Sequence, residues 1–285
     1  MQDPTKNILA IHDLSCFGRC ALTVVMPTLS AMGHQVTPLP TALLSTHTGG
    51  FEGMEFSDLS DTLKPNFDHM VKSGAEFDAV YSGFLGSAGQ IDTVSYIIEK
   101  NPNALILVDP VMGDDGVLYQ TYTEEMKIRM CELCHLATVI TPNITEAHFL
   151  LGDEKVNHCF DSRYEAEAAA RGLITRLFDE YNTPCIVITG VEFSENGKRF
   201  IGTATCTDGN IGFIEKEYAG TGYPGTGDLF ASVLLGKLLD GHPFKESTEL
   251  AADFVRETVN DTFAAGTPVR NGVLLEKNLK RLFKA

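Results

Sequence analysis

Short unbroken apolar runs, separated by longer stretches of helical period, constrain this chain more than any other feature. NILAI at 7–11, ALILV at 104–108 and CIVIT at 185–189 lack the polar alternation of a half-exposed strand. Runs of that kind are strands covered on both faces, as in a parallel sheet under helices. Extended runs at 35–40, 79–82 and 137–140 repeat the theme. The segments 18–32, 56–73, 90–100, 123–135, 144–151 and 163–181 read as helices, and 45–53 as a loop. That alternation builds βαβ units, so the expected fold class is α/β, a three-layer α/β/α arrangement around a mostly parallel central sheet. Two β-rich runs, 200–205 and 211–217, flank Asp208-Gly209-Asn210 and predict an antiparallel hairpin near one edge. Beyond residue 228 the pattern is helical, over 229–239, 245–264 and 273–283. No linker, repeat or low-complexity tract interrupts the 285 residues, which reads as a single domain spanning 1–285.

Composition narrows the function. The formal charge is −16, from 22 basic and 38 acidic residues. Nucleic acid requires clustered Lys and Arg and is excluded as a partner. A nucleotide would have to be held by local N–H dipoles and a divalent cation against the overall field. No apolar run approaches the ~18 residues that span a bilayer, and the five-residue run before His12 is too short for a signal peptide. The expectation is a cytoplasmic protein with no membrane partner. Seven cysteines scattered over the chain suit reduced thiols. Cys131-Glu-Leu-Cys134-His135 has the spacing of a haem attachment, but Met126, Met130 and Leu133 place it at the end of an amphipathic helix. No second ligand pair completes a zinc site.

In an open α/β sheet, ligands bind beyond the carboxyl ends of the strands. The residues there are His12 and Asp13, Gly83 to Gly86, Asp109 to Gly113, Thr141 to Asn143 with Glu146 one turn on, and Gly190. The last such stretch is GYPGTGDLFAS at 222–232, with three glycines, a proline, and Asp228 opening an apolar helical run. Glycines let N–H groups approach a ligand, and a helix start adds unpaired N–H groups and partial positive charge, which together suit a phosphate. A carboxylate there can take a proton from a group attacking that phosphate; it also reads as a cap of its own helix. Asp109-Pro110 reads as a turn or as a carboxylate beside a divalent cation. Asn143 and Glu146 read as a capping pair or, with Asp109, as polar groups around hydrated Mg²⁺. No GxxxxGK[ST] run occurs. Gly220-Thr-Gly222-Tyr-Pro-Gly225 fits the GxGxxG of an NAD-dependent oxidoreductase, but no strand is expected after its helix.

These residues resemble the ribokinase superfamily of ATP-dependent small-molecule kinases, and within it the pyridoxal (pyridoxamine/pyridoxine) kinases of vitamin B6 salvage. GTGD at 225–228 followed by LFAS is similar to the superfamily's C-terminal motif, and TPNITEAHFL at 141–150 to its Asn-x-x-Glu element. NILAIHD and FGRCALT near the start, STHTGG at 45–50, SGFLGS at 82–87 and DPVMGDDGVLY at 109–119 resemble the B6 branch in order and spacing.

The resemblance implies a ribokinase-like fold, a homodimer, and phosphorylation of the 5′-hydroxymethyl group of a B6 vitamer by ATP with Mg²⁺ and a monovalent cation, usually K⁺. On matching positions it implies Asp228 as general base. Gly225, Thr226 and Gly227 would form the anion hole. Asp109, Asn143 and Glu146 would order Mg²⁺ and the phosphates, with Asp109 and Glu146 as the metal carboxylates. Tyr119 and Thr189, with Asn143 and Glu146, would lie along the nucleotide. Asp13, Thr48 and Phe84 would line the pyridine pocket. Two positions depart from the family pattern: Asp13 stands where Ser or Thr is usual, and Phe84 where Tyr is common. A carboxylate in the pocket suits the ammonium of pyridoxamine, which predicts a preference for pyridoxamine or pyridoxine over pyridoxal. Rival readings are a hydroxymethylpyrimidine kinase of thiamine synthesis, which shares the fold, and a catalytically silent B6-binding protein.

Overall fold

The computed structural model describes residues 5–218 and 222–283. In chain order the elements are β1 (Asn7–Phe17), α1 (Leu22–Ala31), β2 (Gln35–Thr46), β3 (Phe56–Asp58), α2 (Ser60–Lys72), β4 (Ala79–Ser82), α3 (Ala88–Lys100) and β5 (Leu105–Val108). A small hairpin, β6 (Gly113–Asp114) and β7 (Val117–Leu118), leads to α4 (Glu124–Cys134), β8 (Val139–Ile140), α5 (Ile144–Leu150), β9 (Cys159–Phe160) and α6 (Arg163–Tyr181). The chain ends with β10 (Cys185–Glu195), β11 (Lys198–Thr207), β12 (Asn210–Glu217), α7 (Thr226–Leu239), α8 (Phe244–Ala264) and α9 (Leu275–Asn278).

One ten-stranded sheet runs in the order β12-β11-β10-β8-β5-β4-β1-β2-β3, with β9 beside β10. From β2 to β10 the pairings are parallel, while β3, β11 and β12 are antiparallel to their neighbours. The apolar runs explain this. Leu9 and Ile11 of β1 enter a core formed with α2 to α6, and Ile8 and Ala10 enter a second core formed with α1, α7, α8 and α9. Each fully buried Leu or Ile contributes about 1.5–3 kcal/mol. A strand covered on both sides carries apolar residues at every position, so three α/β/α layers result. The chain moves from β1 to β2 on one side and then crosses back past β1 to β4. The sheet therefore reverses direction between β1 and β4, and a crevice opens at that point.

The elements depart from sequence expectation where a strand leaves this two-sided core. β1 continues past Ile11 to Phe17 because residues 14–17 still pair with β2 after β4 has ended at Ser82. The two strands form a ribbon beyond the carboxyl edge of the sheet, with a register shift between His12 and Leu14. The helix expected from residue 18 therefore starts at Leu22. Residues 56–58 pair with β2 as β3, so the next helix starts at Ser60 rather than 56. The strand expected at 185–189 runs on to Glu195, and the expected hairpin is a three-stranded meander. The helix expected over 273–283 shortens to α9 and a 3₁₀ turn at Leu279–Arg281. Cys134 is buried, Cys131 is half-buried, and all seven cysteines are free. Among the described residues no helix is long and apolar enough to cross a membrane.

Candidate active site

α7 starts at the crevice with Gly225 as its N-cap, at φ +83°. Glycine is required, because a Cβ there would run into the Arg19 carbonyl. Ser87, Thr123, Asn143 and Ser162 cap α3, α4, α5 and α6 with their side chains, whereas no side chain caps α7. The first intrahelical bond of α7 runs from the Leu229 N–H to the Gly225 carbonyl at 3.0 Å. The N–H groups of Gly225, Thr226 and Gly227 precede it and have no partner along the helix.

The sequence allows Asp228 to cap its own helix; it does not. Its Oδ2 accepts the Ala21 N–H at 2.8 Å and the Cys20 thiol at 3.5 Å, so it serves the N-terminus of α1. Ala21 is the N-cap of α1 and takes an unusual φ of +50°, with its N–H bonded to this carboxylate. A hydrogen bond to a charged group is worth about 1.5–3 kcal/mol, and this one ties α1 to α7. The other oxygen, Oδ1, lies 3.7 Å from Nδ1 of His12.

Around Asp228 stand further carboxylates without countercharge. Asp13 is buried and accepts the Ser15 hydroxyl at 2.8 Å; burial, with the Asp228 charge, pushes its pKa up to about 6. Asp109 is buried, and desolvation with the Asp228 charge pushes it up to about 8. Glu146 is buried and raised by desolvation and by Asp109. Burial raises Asp228 itself, against the Ala21 N–H and the Cys20 thiol. Among the described residues no Lys or Arg pairs with any of the four, and the His12 ring 3.7 Å from Asp228 is neutral. Such a set fits a divalent cation. However, no three His, Cys, Asp or Glu side chains among the described residues converge as a closed metal cage. A cation held here keeps its water and uses phosphate oxygens, the habit of Mg²⁺.

Asn143 and Glu146 form the capping box of α5 and extend from it. Glu146 accepts the N–H groups of Asn143 at 2.8 Å and Met112 at 3.1 Å. Asn143 donates to the Gly113 carbonyl at 2.8 Å, and Thr145 accepts the Gly116 N–H at 3.0 Å. The start of α5 thus docks the β6–β7 hairpin over the crevice. Tyr119, 37% exposed, follows this hairpin, and the nearby Glu146 and Asp109 charges add to burial in raising its pKa. Thr189 bridges to Asn143 and sits at a register break in β10, beside Gly190 at φ +72°. Nucleotide-side candidates therefore gather on one flank of Asp228.

On the other flank, Phe84 is half-buried after β4 and its carbonyl accepts the Thr41 hydroxyl at 3.1 Å. Thr48 is exposed on the loop after β2, which the His47 ring fastens by accepting the Gly49 N–H and bonding the Arg270 carbonyl. Gly220 and Thr221 of the GxGxxG match lie outside the described residues, and no strand follows Gly222 among the described ones.

Sequence reasoning gave no role to three residues, though it placed His12 at a strand end and Cys20 in a quoted stretch. His12 is wholly buried with both ring nitrogens unpartnered. Cys20 touches Asp228. Gln90 is wholly buried in α3; it accepts the Gly86 N–H at 2.7 Å and donates to the Thr41 carbonyl, Asp58 and Ser60. Gln90 thereby ties residues 84–86 to β2. Only its place on the inner face of α3, with Ile91 and Val94, hinted at burial.

A family model described as phosphomethylpyrimidine kinase matches residues 25–272. A Bacteroides thetaiotaomicron protein, provisionally described as a phosphomethylpyrimidine kinase and crystallised with pyridoxal, is 38% identical with a TM-score of 0.87, covering 98% of this chain and 96% of that one. The pyridoxal kinase of Lactobacillus plantarum is 32% identical, with a TM-score of 0.84 over 97% of this chain and 96% of that one. Pyridoxal kinase PdxY of Granulibacter bethesdensis is 26% identical, covering 92% and 91%. With the sheet, the crevice and these likenesses extending over nearly its whole length, the chain belongs to the phosphomethylpyrimidine kinase family, the ribokinase-like kinases that its sequence resembles.

Proposed function

We propose that this chain is an ATP-dependent kinase that phosphorylates the 5′-hydroxymethyl group of a vitamin B6 vitamer. The observation that carries the reading is Asp228, a half-buried carboxylate at the sheet's switch point beside the open N–H groups of Gly225, Thr226 and Gly227. The relatives named pyridoxal kinase, and one crystallised with pyridoxal, supply the substrate class.

Oδ1 of Asp228 is free of backbone bonds and takes the alcohol proton. Burial raises its pKa, which makes it a stronger base than an exposed aspartate. The proton still moves late, when the alcohol is already bonding to phosphorus. The N–H groups of Gly225, Thr226 and Gly227 donate to the oxygens of the transferring phosphoryl group. Asp109 and Glu146 would hold hydrated Mg²⁺, which neutralises charge on the phosphates when bound. Tyr119, Asn143 and Thr189 line the nucleotide, and Asp13, Thr48 and Phe84 line the pyridine ring. A K⁺ requirement, a homodimer and a cytoplasmic location complete the proposal.

The description of the matching family model favours a second reading, a hydroxymethylpyrimidine kinase. Coupled ADP release with pyridoxal, pyridoxamine, pyridoxine, hydroxymethylpyrimidine and ribose, in K⁺ and in Na⁺, separates the two. Vitamer-dependent release supports the B6 reading. Release with the pyrimidine alone transfers the assignment, and release with none of them removes the kinase proposal.

A further inference from the structure

His12 is the last residue of β1 before the register shift, and its side chain is wholly buried. Neither ring nitrogen has a hydrogen-bond partner, an arrangement that native interiors avoid. The ring is closely packed. Tyr81 meets it edge-on with centroids 4.3 Å apart, and residue 83 must be glycine because a Cβ there would occupy the ring's place. A complementary atom, Oδ1 of Asp228, lies 3.7 Å from Nδ1. Oδ2 is pinned by Ala21 and Cys20, so the carboxylate can swing Oδ1 about that anchor. The swing needs roughly half an ångström to reach hydrogen-bond range.

We infer that His12 is a positioning residue for Asp228: its Nδ1–H donates to Oδ1 and holds the carboxylate with one lone pair of that oxygen turned to the substrate alcohol. This rests on the kinase reading for its consequence, though the pair itself does not. The imidazole works as a neutral donor, since burial lowers its pKa to about 3. The ionisable groups around the pair are Asp13, Cys20, Tyr81 and Asp109, and none brings positive charge. His12 thus adds a third donor to the Ala21 N–H and the Cys20 thiol that favour the ionised form of Asp228.

Three substitutions test this, because an asparagine amide can stand where Nδ1 does and a glutamine amide where Nε2 does. His12→Asn is expected to keep kcat within about threefold of wild type, with the acidic limb of its pH profile in place. His12→Leu and His12→Gln are expected to lose about ten- to hundredfold in kcat, the worth of one hydrogen bond to a charged group. KM for ATP and vitamer should stay within about twofold, and the acidic limb should move up by about one pH unit. Equal losses in the Asn and Gln variants, or an unmoved limb in both Gln and Leu, overturn the inference. The Asn–Gln comparison stands if the Leu variant fails to fold. A ¹³C-carboxyl titration of Asp228 in ligand-free protein, assigned with Asp228→Asn, reads the pair without substrate. A lower pKa in wild type than in His12→Gln supports it, and equal values overturn it. Absence of vitamer-dependent ADP release in wild type would remove the kinase reading and leave this titration to stand.

Discussion

Replacing Asp228 with Asn separates the base from the scaffold it belongs to. The asparagine Oδ1 can still accept the Ala21 N–H that the carboxylate holds at 2.8 Å, so the α1–α7 contact loses only the ionic part of one bond, about 1 kcal/mol. Loss of the charge acts in the opposite direction. Asp228 raises the pKa of Asp13, Asp109 and Cys20, and its own pKa is raised by burial. A carboxylate with a raised folded-state pKa favours the native state when protonated and disfavours it once pH rises through that value. A neutral amide removes this penalty at pH 7.5, and Tm should stay within about 4 °C of wild type. Turnover has no such offset. General-base assistance is worth roughly 10²–10⁴-fold, so kcat for pyridoxal should fall by that factor. ATP affinity should hold, because the amides of α7 and the α5 hairpin are untouched. ADP release gives kcat, a thermal melt gives Tm, and calorimetry with a non-hydrolysable ATP analogue gives Kd. A kcat within about threefold of wild type would leave Asp228 as a brace between two helices. A Tm loss beyond about 8 °C would assign the effect to folding.

Asp13 has a folded pKa of about 6 against 3.8, so its contribution to stability is full below the lower value and is lost as pH rises through the upper. Asp13→Asn should match wild type in urea unfolding at pH 4 and exceed it by about 3 kcal/mol at pH 8, and equal stability at both would refute the burial argument. Asp13→Ser should shift the kcat/KM ranking toward pyridoxal, and an unchanged ranking would remove Asp13 from vitamer choice. Gly225→Ala, at φ +83° and against the Arg19 carbonyl, should cost about 1–3 kcal/mol and lower kcat; a neutral melt would show that α7 can start without glycine there. Gln90→Leu should destabilise by about 2–4 kcal/mol and raise vitamer KM more than it lowers kcat, since it frees the 84–86 segment; an unchanged KM would separate Gln90 from the pocket.

The parallel core was legible because strands buried on both faces carry apolar residues without alternation, as Leu9, Ile106 and Ile186 do in theirs. Legibility ends where the environment becomes one-sided. Past Ile11 the chain acquires Asp13 and Ser15, which reads as a strand end, yet β2 alone suffices to continue β1 to Phe17. Asn196-Gly197 and Asp115-Gly116 carry the same signal as Asp208-Gly209, a positive-φ pair closing a two-residue hairpin. They frame a longer meander than residue runs suggested and a small hairpin, β6–β7, that no residue run suggested. At the site, residue types at strand ends located Asp109, Glu146, Gly225 and Asp228. Partners were not legible, because they are set by contacts far apart in the chain. Asp228 bonds to Ala21 rather than its own helix, and Gln90 reaches back to Thr41.

Electrostatics connects these local facts to the reading of function. A chain of formal charge −16 gathers Asp13, Asp109, Glu146 and Asp228 at one crevice with no Lys or Arg paired to them among the described residues. Backbone N–H groups already occupy Glu146 on both oxygens, from Asn143 and Met112, so its charge is partly spent on holding the hairpin. Asp109 has no such backbone donors to offset its burial, and desolvation and Asp228 both oppose its ionisation. A bare nucleotide polyanion entering this field would be repelled. A divalent cation reverses the balance, because it stabilises the ionised form of Asp109 and brings the phosphates to the positive N-terminus of α7. On the kinase reading, the acidic cluster therefore selects the metal–nucleotide complex over free nucleotide, and the base beside it is favoured in its ionised form by the Ala21 N–H and the Cys20 thiol rather than by any cationic side chain.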